Sequence, residues 1–215
     1  MKQILKSKKK RTLSQRQWLT RQINDPYVEA AKRQGYRSRA AFKLEQLDDK
    51  FHFLKKGGRV ADLGAAPGGW TQVAVKRMGP SGLVAALDIL PMDPLPGAIV
   101  LLGDFLAEGS EDRLKEALGG PCDLVMSDMA APTTGHAPTD HIRIMNLAEQ
   151  ALEFAVGVLA PGGAFIAKLF QGGAEKELLD RLKVNFATVR HAKPAASRAD
   201  SKETYVVAMG FRGEK

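Results

Sequence analysis

Along most of this chain, short apolar runs alternate with stretches of helical spacing, and four of the runs close on an acid. Val60-Ala61 ends at Asp62, residues 83–87 at Asp88, residues 99–102 at Gly103-Asp104, and residues 122–127 at Asp128. Runs of this length predict strands buried on both faces. Helical spacing between them, as in residues 71–77, predicts a βαβα alternation and hence a mostly parallel sheet with helices on both faces. A helix capped by Thr139 or Asp140 runs to about Leu159, where Pro161-Gly162-Gly163 stops it, and a fifth strand follows over residues 164–170. Another helix covers about residues 174–184. Two late strands, near 188–190 and 204–209, lack a full helix between them and predict an antiparallel pair at an edge. The fold class that follows is α/β, with seven strands and an antiparallel last strand.

Upstream, Asp25-Pro26 opens a short helix that stops near Gly35. A second helix, from Ser38, places Ala41, Phe42, Leu44, Leu47 and Phe51 on one face. Lys43 falls off that stripe and by itself reads as a solvated helix lysine. Residues 1–24 have no apolar period and predict a basic, flexible tail ahead of a single domain over residues 25–215. A chain of 215 residues suffices for one α/β core and is short for two.

Charge sharpens this picture. The net charge is +8, but residues 1–43 alone carry thirteen Lys or Arg against Asp25 and Glu29, so the rest of the chain is slightly acidic. Positive charge gathered at one end is the footprint of nucleic-acid binding; a solvated tail or an anionic membrane surface would also account for it, although no amphipathic anchor or lipidation motif is present. The single cysteine, Cys122, excludes a disulfide framework, and four scattered histidines suggest no metal site. With no apolar signal region and no transmembrane run, a cytoplasmic location is expected.

The richest stretch for chemistry is Asp62-Leu63-Gly64-Ala65-Ala66-Pro67-Gly68-Gly69-Trp70, where a strand turns through glycines into a helix. Such a loop lets backbone N–H groups approach a ligand where no Cβ intervenes. A phosphate-gripping loop needs Gly-Lys-Ser/Thr, and here Trp70-Thr71 follows, which disfavours ATP. Gly64-x-Ala66-x-x-Gly69 is a degenerate dinucleotide fingerprint, and Asp88, at the end of the second strand, is placed to hydrogen-bond ribose hydroxyls. S-adenosylmethionine satisfies these features without a pyrophosphate grip. Lys168 stands inside the apolar run 165–170, where a charge needs a partner, and Asp128 ends the neighbouring strand. The alternatives are a lysine snorkelling from an edge strand and an aspartate that only caps a turn.

Further motifs accompany these: Arg37-Ser38-Arg39-Ala40-x-Phe42-Lys43-Leu44, Leu90-Pro91-Met92-Asp93-Pro94, Gly103-Asp104-Phe105, Ser127-Asp128-Met129-Ala130 and Ser197-Arg198-x-x-Ser201-x-Glu203-x-Tyr205. In this order, over about residues 24–212, the chain resembles the FtsJ family of RNA ribose 2′-O-methyltransferases, in particular its bacterial branch acting on a uridine of 23S ribosomal RNA. The resemblance implies a Rossmann-like class I methyltransferase using S-adenosylmethionine, with a catalytic tetrad of Lys43, Asp128, Lys168 and Glu203 and no metal. It implies cofactor contacts from Gly64, Gly68 and Trp70, from Asp88 to the ribose, from Asp104 to the adenine amino group, and from Asp128 near the methionine end. Lys168 then acts on the 2′-hydroxyl, as a base or, if protonated, as the cation that stabilises the alkoxide. The implied partner is large-subunit rRNA, within the 50S subunit or naked, bound by a monomer; tRNA and a noncatalytic role in ribosome assembly are the alternatives. Lys32, Arg33, Arg37, Arg39, Arg198 and Lys202 are candidates for the RNA surface. One departure, Ala130-Ala131-Pro132-Thr133-Thr134-Gly135 where the family often continues Ala-Pro-Asn, bears on how the target base is held.

Overall fold

The computed structural model describes residues 19–20, 22–132, 134–170 and 175–213. Helices α1 (Pro26–Gln34) and α2 (Ala41–Phe51) come first, followed by β1 (Arg59–Leu63), α3 (Gly69–Met78), β2 (Leu83–Asp88) and β3 (Ala98–Leu102). Then come α4 (Ser110–Leu118), β4 (Cys122–Ser127), α5 (Ala137–Val158), β5 (Leu159–Phe170), α6 (Lys176–Asn185), β6 (Phe186–Ala192) and β7 (Glu203–Phe211). The strands form one sheet in the order β3-β2-β1-β4-β5-β7-β6. Alternate side chains serve two cores: Ala61, Leu63, Leu87 and Val125 meet α4, α5 and α6 on one face. Val60, Val84, Leu124 and Met126 meet α2 and α3 on the other.

Five parallel strands, β1 to β5, carry the acids of the motifs to one edge of the sheet. The late pair is antiparallel, as its missing helix predicts, but only β6 lies at the rim. β7 runs antiparallel to both β5 and β6 and is therefore interior, which suits its buried run Thr204 to Ala208. Among the parallel strands the strict alternation fails once. Residues 89–97, between β2 and β3, hold Pro91, Pro94 and Pro96 and form no helix, because each proline fixes φ and removes a donor.

Helix α5 starts at Ala137, ahead of the expected caps, and its N-cap His136 makes no side-chain capping bond. Asp140 instead holds the preceding loop, accepting from Thr134 N and Oγ1 at 2.7 Å and from Gly135 N at 3.3 Å. Pro161-Gly162-Gly163 is a bulge inside β5: the register against β4 slips between the Cys122 and Leu124 pairings. Of the tail expected over residues 1–24, residues 1–18 and 21 lie outside the described residues, while 19–20 and 22–23 are helical.

Candidate active site

A cavity of about 530 Å³ opens at the carboxyl ends of β1 to β4, lined by Gly64, Asp88, Asp104, Phe105, Asp128 and Met129 among others. This is where open α/β sheets bind ligands, and the volume is that of a small-molecule site. Gly64 is indispensable to its shape. The residue has φ of 77°, and a Cβ there would stand 2.8 Å from the Met129 backbone. Asp88 is held by both oxygens, accepting from Ala66 N and from Leu90 N at 2.8 Å each, so its carboxylate spans the glycine loop and the loop after β2. Asp104 accepts from Leu106 N at 3.0 Å. Gly64, Asp88, Asp104 and Asp128 thus share one wall.

Gly68 and Trp70 stand apart from that wall. Gly68, at φ 108°, is the N-cap of α3, and the space of its missing Cβ is filled by Met92 Sδ and the Arg37 guanidinium. The Trp70 indole is buried, donates to Ala40 O at 2.9 Å and packs on the Tyr205 ring at 5.6 Å. Any contact from Trp70 to a bound cofactor is left to its backbone. Arg37 turns inward too: its guanidinium donates to Asp93 O and Pro94 O at 2.8 Å, tying the glycine loop to the proline-rich loop. Arg39 and Arg198 are drawn to Asp25, whereas Lys32, Arg33 and Lys202 remain exposed.

Lys43, Asp128, Lys168 and Glu203, from four separate parts of the sequence, meet beside the cavity. Lys43 is buried by α2 rather than solvated, because the last strand and the loop before it cover that face. Its Nζ lies 2.7 and 2.8 Å from the two Glu203 oxygens. Lys168, in the middle of the sheet on β5, donates to Asp128 O at 2.6 Å, with Asp128 Oδ1 at 3.2 Å. Tyr205, which closes the last of the sequence motifs without an assigned role, joins the two pairs. Its hydroxyl donates to Asp128 Oδ1 at 2.8 Å and accepts from Lys43 Nζ at 3.1 Å. A buried tyrosine hydroxyl requires a partner, and that requirement, with the place of Tyr205 in the last motif, is the signal the sequence holds.

The charges follow from this arrangement. Burial pushes the Asp128 carboxyl up, but Lys168, Lys43 and the Tyr205 hydroxyl outweigh it and hold Asp128 below the usual carboxylate range. Tyr205 is driven well above its ordinary value, first by burial and then by Asp128 and Glu203, and so stays a neutral hydroxyl. Behind the loop, Asp62 is fully buried. Its Oδ2 accepts from Thr71 Oγ1 at 2.6 Å, and Oδ1 has no hydrogen-bond partner among the described residues. Burial lifts Asp62 to about 7 despite the Thr71 bond, with Asp128 and Asp88 adding to the rise.

Lys168 can therefore give two hydrogens to Asp128 and keep its remaining tetrahedral position free for an acceptor hydroxyl. That position holds a lone pair if the amine is neutral and a third N–H if it is charged.

The sheet order, the nucleoside-sized cavity and this lysine–carboxylate set define a Rossmann-like methyltransferase. More narrowly, the chain belongs to the FtsJ-like methyltransferase family, whose sequence model matches residues 36–211. It is 67% identical over 214 residues to the ribosomal RNA large subunit methyltransferase E of Paramagnetospirillum magneticum, spanning 97% of this chain and 88% of that protein. It is 61% identical to the protein of the same name from Parvibaculum lavamentivorans, over 97% of this chain and 86% of the relative. A crystal structure assigned as a ribosomal RNA methyltransferase of Plasmodium falciparum superposes with a TM-score of 0.74 at 32% identity, covering 83% of this chain and 100% of its own. No helix among the described residues is long and apolar enough to cross a membrane.

Proposed function

We propose that this chain transfers a methyl group from S-adenosylmethionine to the ribose 2′-hydroxyl of a uridine in large-subunit (23S) ribosomal RNA. The observation that carries the reading is Lys168, held by Asp128 at the edge of a cavity whose other acids suit a nucleoside. The names and high identity of the two bacterial relatives support the substrate.

S-adenosylmethionine, when bound, supplies a methyl group activated by its positive sulfur. Gly64, Asp88 and Asp104 fit its adenosine part: an open backbone beside the loop, a fixed carboxylate for ribose hydroxyls, and a carboxylate for the adenine amino group. Gly68 and the Trp70 backbone complete that loop. Asp128, kept ionised by two lysines, offers negative charge to the cationic end. Lys168 receives the 2′-hydroxyl at its open position, taking its proton or stabilising the forming alkoxide, while Asp128 fixes the line of approach. Lys43 and Glu203 hold Tyr205 and thereby Asp128 from behind. The enzyme acts as a cytoplasmic monomer on the 50S subunit, with Lys32, Arg33 and Lys202 on the RNA-facing side.

Labelled S-adenosylmethionine offered with 50S subunits, naked rRNA and tRNA tests this directly. Label on the large-subunit RNA, resistant to alkaline cleavage at one phosphodiester and absent with Lys168→Ala, is the expected result. Label on tRNA alone overturns the substrate; turnover by the Lys168→Ala protein overturns the mechanism.

A further inference from the structure

Asp25 caps α1, accepting from Tyr27 N at 3.0 Å, but its side chain is only 8% exposed, and two guanidinium groups converge on it. Arg39 Nε lies 2.9 Å from Oδ2 without the alignment of a hydrogen bond, and Arg198 Nη2 lies 3.6 Å from the same oxygen. These two arginines belong to the two segments that carry Lys43 and Glu203. Arg39 stands in the turn just ahead of α2, the helix that carries Lys43, and its Nη2 also donates to Ala196 O. Arg198 follows Ser197, whose hydroxyl donates to Glu203 Oε1 at 2.8 Å. Gln46 closes the same seam, accepting from Ala196 N at 2.8 Å and donating to Tyr27 OH at 3.3 Å. The Lys43–Glu203 pair is thus made across a seam between α2 and the β6–β7 loop. The Asp25 carboxylate supplies the negative charge that lets two arginines meet there.

We infer that Asp25 is a positioning residue for methyl transfer: by neutralising Arg39 and Arg198 it fixes Ser197 and Glu203 against Lys43, and so sets the pose of Tyr205 and Asp128. The inference rests on the function proposed above. Without the carboxylate, two guanidinium groups with side chains 16% and 29% exposed would be left close together and uncompensated, a costly arrangement that the loop can relieve only by moving away. Asp25→Asn isolates this charge, because asparagine still caps α1.

The test compares wild type, Asp25→Asn, Glu203→Gln and the double variant in steady-state methyl transfer to large-subunit RNA. For Asp25→Asn we expect kcat to fall about tenfold with KM for S-adenosylmethionine changed less than about twofold, and the double variant to be no slower than the slower single. Multiplying effects, or a change confined to KM for RNA, overturn the inference. Arg198→Gln cuts the same link from its exposed side; its kcat falls in the same direction and adds nothing to Asp25→Asn, so a fully additive effect also counts against it. If wild type methylates no RNA, the proposed function fails on its own account. Urea unfolding of the four proteins then decides the linkage: additive losses of stability refute it, and a double variant well short of additive supports it.

Discussion

Replacing Asp62 by asparagine should stabilise this protein, and by an amount that depends on pH. The carboxyl is fully buried, its Oδ1 lacks a partner among the described residues, and burial raises it from an ordinary 3.8 to about 7. Between about pH 4 and pH 7 the folded state therefore holds a proton that the unfolded chain has released, so stability falls as pH rises through that window. Above about 7 both states are ionised and the penalty levels off. At about 1.4 kcal/mol per tenfold change in proton affinity, the rise from 3.8 to about 7 corresponds to an upper value of about 4 kcal/mol. Asparagine does not titrate and keeps an oxygen for Thr71. Placing its NH₂ where Oδ1 sits adds a cost, but one that is the same at every pH. Urea unfolding followed by far-ultraviolet circular dichroism between pH 5 and pH 8.5 reads the difference between Asp62→Asn and wild type. It should grow in favour of the variant up to about pH 7 and then stay level. A difference independent of pH would refute the reasoning, and one that grows against the variant would reverse its sign.

Other expectations follow from the same geometry. Tyr205→Phe keeps the ring against Trp70 but removes the hydroxyl that joins Asp128 to Lys43; unfolding titrations should show a loss of about 1–3 kcal/mol, and methyl transfer should slow. Gly64→Ala meets both a left-handed φ and the Met129 backbone, so calorimetric titration should show S-adenosylmethionine affinity falling at least tenfold, accompanied by a loss of about 1–3 kcal/mol in stability. Arg37→Ala should weaken the cofactor more than RNA, because its guanidinium braces the two loops around the cavity. Lys32→Ala and Lys202→Ala should each lower the slope of log affinity against log salt by about 1 in filter binding, with catalysis at saturating RNA unchanged.

The parallel core was legible because its strands are apolar on both faces and end in acids, a pattern that depends on neighbours within a few residues. Asp88, Asp104 and Asp128 could be placed at the ligand edge from strand ends alone. Lys43 could not: its burial depends on a strand about 160 residues away, and only the family resemblance, not helical periodicity, pointed to it. The role of Tyr205 escapes for the opposite reason: the residue stands in the last motif, but a tyrosine in an apolar strand looks like core until its hydroxyl is seen between Asp128 and Lys43. Arg37, Arg39 and Arg198 are candidates for the RNA surface by charge alone, and the sequence does not show that they are half-buried and bonded to carbonyl groups and Asp25. The Asp140 misreading is similar. A carboxylate near a helix start can serve the helix or the loop before it, and the sequence does not say which.

The position of β7 also sets a schedule. The cavity walls are drawn from Gly64 to Leu147, and all of these residues leave the ribosome well before Glu203 and Tyr205. A nascent chain therefore has the material for its ligand-binding half early, while Lys168 remains a lysine on an unpaired strand margin. Only when the last strand slides in between β5 and β6 do the two ion pairs become one connected set. On the proposed mechanism, chemical competence is in this sense a late event of synthesis, and a chain stopped short of residue 203 would lack Glu203 and Tyr205 even with its cavity formed.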